Sequence, residues 1–325
     1  MHQFAWQEII TRSYGHSCHM LIAQQSGQVT GVLALIEIRS LLTGHSLQSL
    51  PGGLCATSAS TAAALIEAAE DLAKSQNVAY LLLHDCRHDW PAATLESVSA
   101  HRTIRVTLKR NPEEVFKNMP RNVRRYVQKA QRLENIRTVV QPAVDAVHLQ
   151  DFYRVFVRFN YEMGTPPFGF DFLHNVVKAF PLESLVTLVY VGRDPVAGFF
   201  CLEQGNLIFG IWGSALPAYR DYYPTHLAYW AMIEYGCQAG FTDFELGRAP
   251  YPSGFYDFKA NWGDRHLPVY QLYRVYRGKQ PAVVQVGIPA QDSTSLSMFR
   301  RAWRKLPYGL VLHIGPLIRW HMPFG

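Results

Sequence analysis

The sequence has little of what would settle a function at once. Its five cysteines, Cys18, Cys55, Cys86, Cys201 and Cys237, are scattered with no paired spacing. That argues against a disulfide framework or a thiolate zinc site and fits a reducing compartment. The thirteen histidines show no metal-ligand spacing either, so no metal is expected. No uninterrupted apolar run reaches the roughly 18 residues of a membrane-spanning helix. The first residues, Met1 to Glu8, hold no basic segment followed by an apolar run, so no signal peptide is expected and the expected location is cytoplasmic. Charge is sparse, at 17% of residues, and Lys plus Arg exceed Asp plus Glu by only 31 − 25 = 6. So modest an excess fits an anionic ligand, a nucleic acid or an anionic membrane surface and selects none of them.

What is present is a large apolar inventory. At 325 residues and 48% hydrophobic, the chain is long enough for about two domains and can bury a sizeable core. Residues 6–14 predict a short helix. Strands are predicted at 19–23, 29–38 and 41–50, with a break at Leu50-Pro51-Gly52-Gly53. A helix follows at 57–73, a fully apolar strand at 78–83, a loop or short helix at 91–98 and an alternating strand at 103–108. After a long helix over 111–132, interrupted near Pro120, the same order recurs. The strands are at 136–140, 185–191, 196–204, 206–214, 242–246 and 268–276, and the helices at 144–162, 170–180, 225–238 and 253–261. This reads as an α+β fold of two similar mixed-sheet domains, 1–110 and 136–278, joined by a basic helix over 111–135. Residues 279–297 read as a polar linker. The tail over 298–325 mixes Arg300, Arg301, Arg304 and Lys305 with an apolar run that Pro307 and Pro316 break. It suits either an anionic bilayer surface or packing on the core.

The densest stretch is Phe244 to Gly263. A short strand ends at Leu246, Gly247 and the Pro250/Pro252 pair turn the chain, and Ser253 caps a two-turn helix. Arg248 at the strand end and Lys259 on the helix suit a cleft for an anionic or oxyanionic group. Alternation sets Glu245 opposite Phe244 and Leu246, so it either faces the cleft as a proton acceptor or pairs with an arginine. Trp212 and the aromatic run ending at Tyr223 lie near the same cleft. Arg121, Arg125 and Lys129 recur every four residues on one helix face, either as a phosphate-binding stripe or as a solvated surface.

The strand–strand–strand–helix–strand order resembles that of the GNAT superfamily of N-acyltransferases. Further motifs, in order, resemble the FemAB-like tandem-GNAT transferases, and most of all the FemAB-related proteins found with exosortase and exopolysaccharide systems. They are Ser49 to Gly53, Arg121 to Ala130, Met163-Gly-Thr-Pro166, Phe244 to Arg248, Ser253 to Lys259, Trp262-Gly263, Leu306-Pro307 and Gly315-Pro316. Together they cover most of the chain.

The resemblance implies an acyl- or aminoacyltransferase acting on an amine of a cell-envelope precursor, such as one of peptidoglycan, or of a polysaccharide. It implies no bound cofactor, with aminoacyl-tRNA or acyl-CoA as the candidate donor. The candidate partners are a small-molecule or glycan-precursor substrate, tRNA as donor carrier, and the inner-membrane surface through 298–325. Lys259 takes the place of the family's donor-site lysine, with Tyr256 and Phe258 packing its helix or lining the cleft. His226 stands where relatives tend to have an asparagine at a helix start. Two features depart from the pattern: no Gly-rich pyrophosphate loop lies near 218–226, and no coiled-coil arm of the tRNA-binding kind is evident. A second reading is a non-catalytic, membrane-associated binding protein of an envelope or exopolysaccharide assembly system.

Overall fold

The computed structural model describes residues 4–40, 44–90, 94–278 and 294–322. The first elements are α1 (Ala5–Tyr14), β1 (Ser17–Gln25), β2 (Gln28–Ser40), β3 (Gly44–Ala56), α2 (Ala59–Ser75), β4 (Tyr80–Cys86) and β5 (Glu96–Thr107). Then come α3 (Pro112–Asn118), α4 (Arg121–Gln131), β6 (Ile136–Pro142), α5 (Ala146–Met163), α6 (Phe170–Ala179), β7 (Ser184–Val191), β8 (Asp194–Gln204) and β9 (Leu207–Ala215). The chain closes with α7 (Pro224–Ala239), β10 (Asp243–Pro250), α8 (Gly254–Ala260), β11 (Arg265–Val275), α9 (Thr294–Trp303) and α10 (Tyr308–Trp320). The expected helix and strand order is therefore observed. The start of the third expected strand, residues 91–93 and most of the 279–297 linker lie outside the described residues.

Helix starts follow local chemistry. Ser58, Asn111, Asp145 and Ser253 each accept a backbone N–H of the turn they cap. Pro120 separates α3 from α4, since it has no N–H for an i−4 carbonyl. In three places the chain continues where a break is expected. Strand β3 runs through Pro51-Gly52-Gly53 to Ala56 by bulging, its register against β2 shifting between Ser49, opposite Leu35, and Leu54, opposite Leu33. Strand β10 runs through Gly247 to Pro250 by the same device, shifting register between Glu245 and Arg248. Helix α10 holds Pro316 in its interior.

All the described strands share one sheet, in the order β1-β2-β3-β4-β11-β5-β10-β9-β8-β7-β6. Its middle is an exchange. Strand β11 lies antiparallel to β4, with Leu272 opposite Leu83, and β5 lies antiparallel to β10, with Val106 opposite Phe244. Strands β5 and β11 also pair with each other. The last strand of each repeat thus sits against the other repeat's parallel strand, and residues from 84–105 and 244–248 are brought to one place. Helix α5 covers β7, β8 and β9, burying Phe152, Val155 and Phe156, while α7 contributes Tyr229, Met232 and Ile233 to a second apolar cluster with Ile208 and Phe244.

The tail packs on the core: Trp303 and Val311 are buried, Tyr161 Oη donates to the carbonyl oxygens of Arg304 and Leu306, and Ser40 Oγ donates to His321 O at 2.7 Å. Among the described residues no helix is long and apolar enough to cross a membrane.

Candidate active site

Strands β9 and β10 run parallel only from Asp243↔Leu207 to Glu245↔Phe209, and then part. The fork is made by two glycines. Gly247 has φ +72°, a conformation that favours glycine, and a Cβ there would lie 3.0 Å from Gly210 O. A Cβ on Gly210 would in turn lie 3.0 Å from Glu245 O. Two cavities meet at this fork, and Gly210, Ile211, Gly247 and Arg248 line both. The larger, about 690 Å³, is closed by Tyr229 of α7 and by Phe255, Phe258 and Lys259 of α8. The smaller, about 350 Å³, is walled by Trp6, Phe156, Phe172 and Trp212 and floored by charged side chains. Both volumes fall in the range of small-molecule sites.

Lys259 is buried at 5% exposure. Its ammonium donates to three consecutive carbonyls, Leu246 O at 2.8 Å, Gly247 O at 3.2 Å and Arg248 O at 2.9 Å. An even strand turns successive carbonyls to opposite edges, so one cation reaches three in a row only because the Gly247 bulge swings them to one side. Burial, with repulsion from Arg248, lowers its pKa to about 7. The expected stabilisation of an oxyanion by Lys259 meets a difficulty here: all three ammonium protons are already given to backbone.

Glu245 is buried at 1% between two guanidinium groups. Arg87 Nη2 donates to Oε1 at 2.6 Å and Arg105 Nε to Oε2 at 2.7 Å. Of the two alternatives, the arginine pairing is the one observed. Arg248 forks onto Asp85 with Nη1 at 2.8 and 2.9 Å from its two oxygens. Burial raises the Asp85 pKa, but Arg248 and His84 outweigh it and the net shift is downward. Asp85 itself has φ +48°, a strained position for a non-glycine. His84 and His101 flank the pair and are held neutral, each pushed down to about 4 by burial and the Arg248 charge.

Other residues named from the sequence divide. Trp212 lines the smaller cavity and Phe258 the larger. Tyr256, Tyr223, His226, Arg121, Arg125 and Lys129 line neither. Tyr256 Oη meets His266 Nδ1 at 2.8 Å. The His226 ring packs among Tyr126, Tyr223, Phe258 and Trp262, and burial lowers its pKa to about 4. Tyr223 precedes α7 with φ +53° and accepts from Lys129 Nζ at 2.9 Å. Arg121 and Arg125 are exposed on α4.

Four residues at the site were missed: Asp85, Arg87, Arg105 and Arg319. The first two carried a signal, the switch from the apolar strand ending at Leu83 to His84-Asp85-Cys86-Arg87. Arg105 and Arg319 carried none, because their place depends on the strand exchange and on how the tail docks.

Residues 117–260 match the family model described as an acetyltransferase (GNAT) domain. No curated protein sequence matches the chain. Three solved structures share its architecture. FemX is 14% identical, with a TM-score of 0.65 over 84% of this chain and 91% of that one. L-PGS from Bacillus licheniformis is 12% identical, with a TM-score of 0.59 over 88% and 96%. A tandem GNAT protein from the clavulanic acid biosynthesis pathway is 11% identical, with a TM-score of 0.52 over 82% and 85%. Residues 117–260 are therefore similar to an acyltransferase domain of the GNAT type, in a chain that has the tandem GNAT fold of these structures.

Proposed function

We propose that the protein transfers an acyl or aminoacyl group to an amine of a cell-envelope precursor or polysaccharide, and that donor and acceptor enter from the two cavities that meet at the β9/β10 fork. The shared lining at Gly210, Ile211, Gly247 and Arg248 carries this reading, because it lets two ligands touch while their bodies stay apart. The larger, more apolar cavity takes the acyl arm and the smaller takes the amine. A neutral amine attacks the acyl carbonyl carbon, a C–N bond forms, and the ester or thioester bond to the donor breaks. The amine proton leaves with the oxygen or sulfur of the leaving group.

Aminoacyl-tRNA and acyl-CoA are both retained as donors, the exposed Arg121, Arg125 and Lys129 offering phosphate contacts to the former. The ordered motifs from Ser49 to Pro316 support the FemAB-related subtype associated with exosortase and exopolysaccharide systems.

Transfer is read directly by mass spectrometry. Amine-bearing peptidoglycan precursors and amino-sugar oligosaccharides are incubated with charged tRNA or with acyl-CoA. The expected result is an acceptor heavier by one acyl group with one donor class. No gain with any combination, from a protein that melts cooperatively, would remove the reading.

Exposed Leu310, Leu312 and Leu317 on α10, beside exposed Arg301, Arg304 and Lys305, support peripheral membrane contact by the tail. Binding to vesicles rich in anionic lipid should fall severalfold in Leu310→Ser/Leu317→Ser, by co-sedimentation, and unchanged binding excludes it.

A further inference from the structure

The smaller cavity holds more positive charge than its own acids neutralise. Its lining includes Asp85 and Glu245 against Arg87, Arg248 and Arg319, and Arg105 adds another cation behind Glu245. Asp85 is occupied by Arg248, and Glu245 by Arg87 and Arg105. Arg319 is left over. Among the described residues no carboxylate pairs with it; its guanidinium sits 4.2 Å from the centre of the Phe168 ring, with Arg248 as a like-charged neighbour. Burial and that neighbour lower its pKa to about 10, so it stays charged at neutral pH. A cation so placed costs stability unless an anion joins it.

Two further polar atoms in the same lining are idle. Arg87 Nη1 and Thr103 Oγ1 are buried with no hydrogen-bond partner. Buried donors are rarely left in this state, and these two, in the lining that also holds the uncompensated Arg319, mark a place for an acceptor. The remaining wall is aromatic, with Trp6, Phe156, Phe172 and Trp212.

The position of Arg319 is built. Trp320 Nε1 donates to Tyr14 O, and Ser40 Oγ holds His321 O. A Cβ added at Gly315 would stand 2.7 Å from Pro167 Cδ, so α10 lies tightly on the segment that lines the cavity at Thr165 and Pro166. The tail therefore delivers a charge to the interior as well as covering the core.

We infer that the smaller cavity binds an oxyanion, a carboxylate or a phosphate monoester, attached to an apolar body, and that Arg319 of the C-terminal helix receives it together with Arg87 and Thr103. This rests on reading that cavity as the acceptor side, and it narrows the acceptor to an amine that also carries an anionic group.

The test needs no donor, so its failure and a failure of transfer are separable. Calorimetric titration of the full chain compares N-acetyl-tryptophan, phenyl phosphate and N-acetyl-tryptophanamide. At least one anion should bind about tenfold or more tightly than the amide, the size expected for charge-assisted hydrogen bonds to a desolvated arginine. The better of the two anions identifies the head group. Arg319→Met, which comes near the length of the side chain without its charge, should bring anion and amide within about threefold of each other. Arg319→Lys should keep part of the preference, and Arg301→Met, on the exposed face of α9, all of it. If Arg319→Met does not fold, Thr103→Val should still weaken the anions and leave the amide unchanged. Equal binding of anion and amide by the wild type overturns the inference, as do no anion binding at millimolar concentration and a preference that survives Arg319→Met.

Discussion

Replacing Lys259 with methionine is expected to cut the rate of acyl transfer about a hundredfold while changing KM little. The new side chain fits the same space but gives no proton to the carbonyls of Leu246, Gly247 and Arg248. These three mark the bulge at which β10 leaves β9, and they carry Gly247 and Arg248, which line both cavities. Once freed, they can rotate back toward an even strand and narrow the fork. A displacement of about 1 Å between reacting groups costs on the order of 10²-fold in rate.

Two opposing effects set the stability of this variant. Each orphaned carbonyl costs about 1–3 kcal/mol, while removing a buried charge returns much of that, so the net loss near pH 7 should be about 2 kcal/mol. The pH dependence separates them. Lys259 has a pKa of about 7 in the folded chain, against the ordinary 10.5 that it regains on unfolding. Between these values the unfolded state binds the extra proton, so wild-type stability rises with pH; below about 7 both states are protonated and the contribution is flat. The Lys259→Met variant has no group to titrate there. The gap between the two proteins should therefore widen by about 2–3 kcal/mol from about pH 7 to pH 9, read from urea midpoints. A constant gap, or a wild-type transfer rate in the variant, would show that Lys259 does not hold the bulge.

That bulge shows how far the sequence could be read. Periodicity and caps are local, so Ser253 and the apolar runs gave nearly every element and its order. The pairing of strands is not local. Nothing in the alternation of Glu96 to Thr107 says that this strand inserts between β10 and β11, so that Arg105 meets an acid 140 residues later in the chain. Prolines and glycines also misled at 51–53, at 247–250 and at Pro316; at the first two, bulges carry the strand on without a break.

The same nonlocality hid the arginines around Glu245. One of them follows β4 and the other lies on β5, and only the sheet order brings them to the acid. His226, named for its place at a helix start, is packed by the rings of Tyr126, Phe258 and Trp262, which come from three separate stretches of the chain, and burial there lowers its pKa to about 4.

Glu245→Ala should be the most destabilising single change at the site, by about 2–3 kcal/mol, because it leaves the partly buried Arg87 and Arg105 without their counter-ion, with water screening part of the loss. The acid sits where β4, β5 and β10 are held together by the strand exchange, so its loss acts on the joint between the two repeats. The variant also decides between the two roles open to this carboxylate. A proton acceptor needs a free oxygen facing the amine, and both oxygens of Glu245 already accept from guanidinium groups at 2.6 and 2.7 Å. If it is a clamp, Glu245→Gln will transfer at a rate that follows its folded fraction, and the pH profile of kcat/KM will keep its wild-type shape. If it takes the proton, the glutamine variant will be folded yet slower by about 10²–10⁴-fold, and the acid limb of that profile will be lost. The observed pairing favours the first outcome. A fully folded Glu245→Ala with the wild-type urea midpoint would show that the two guanidinium groups do not depend on it.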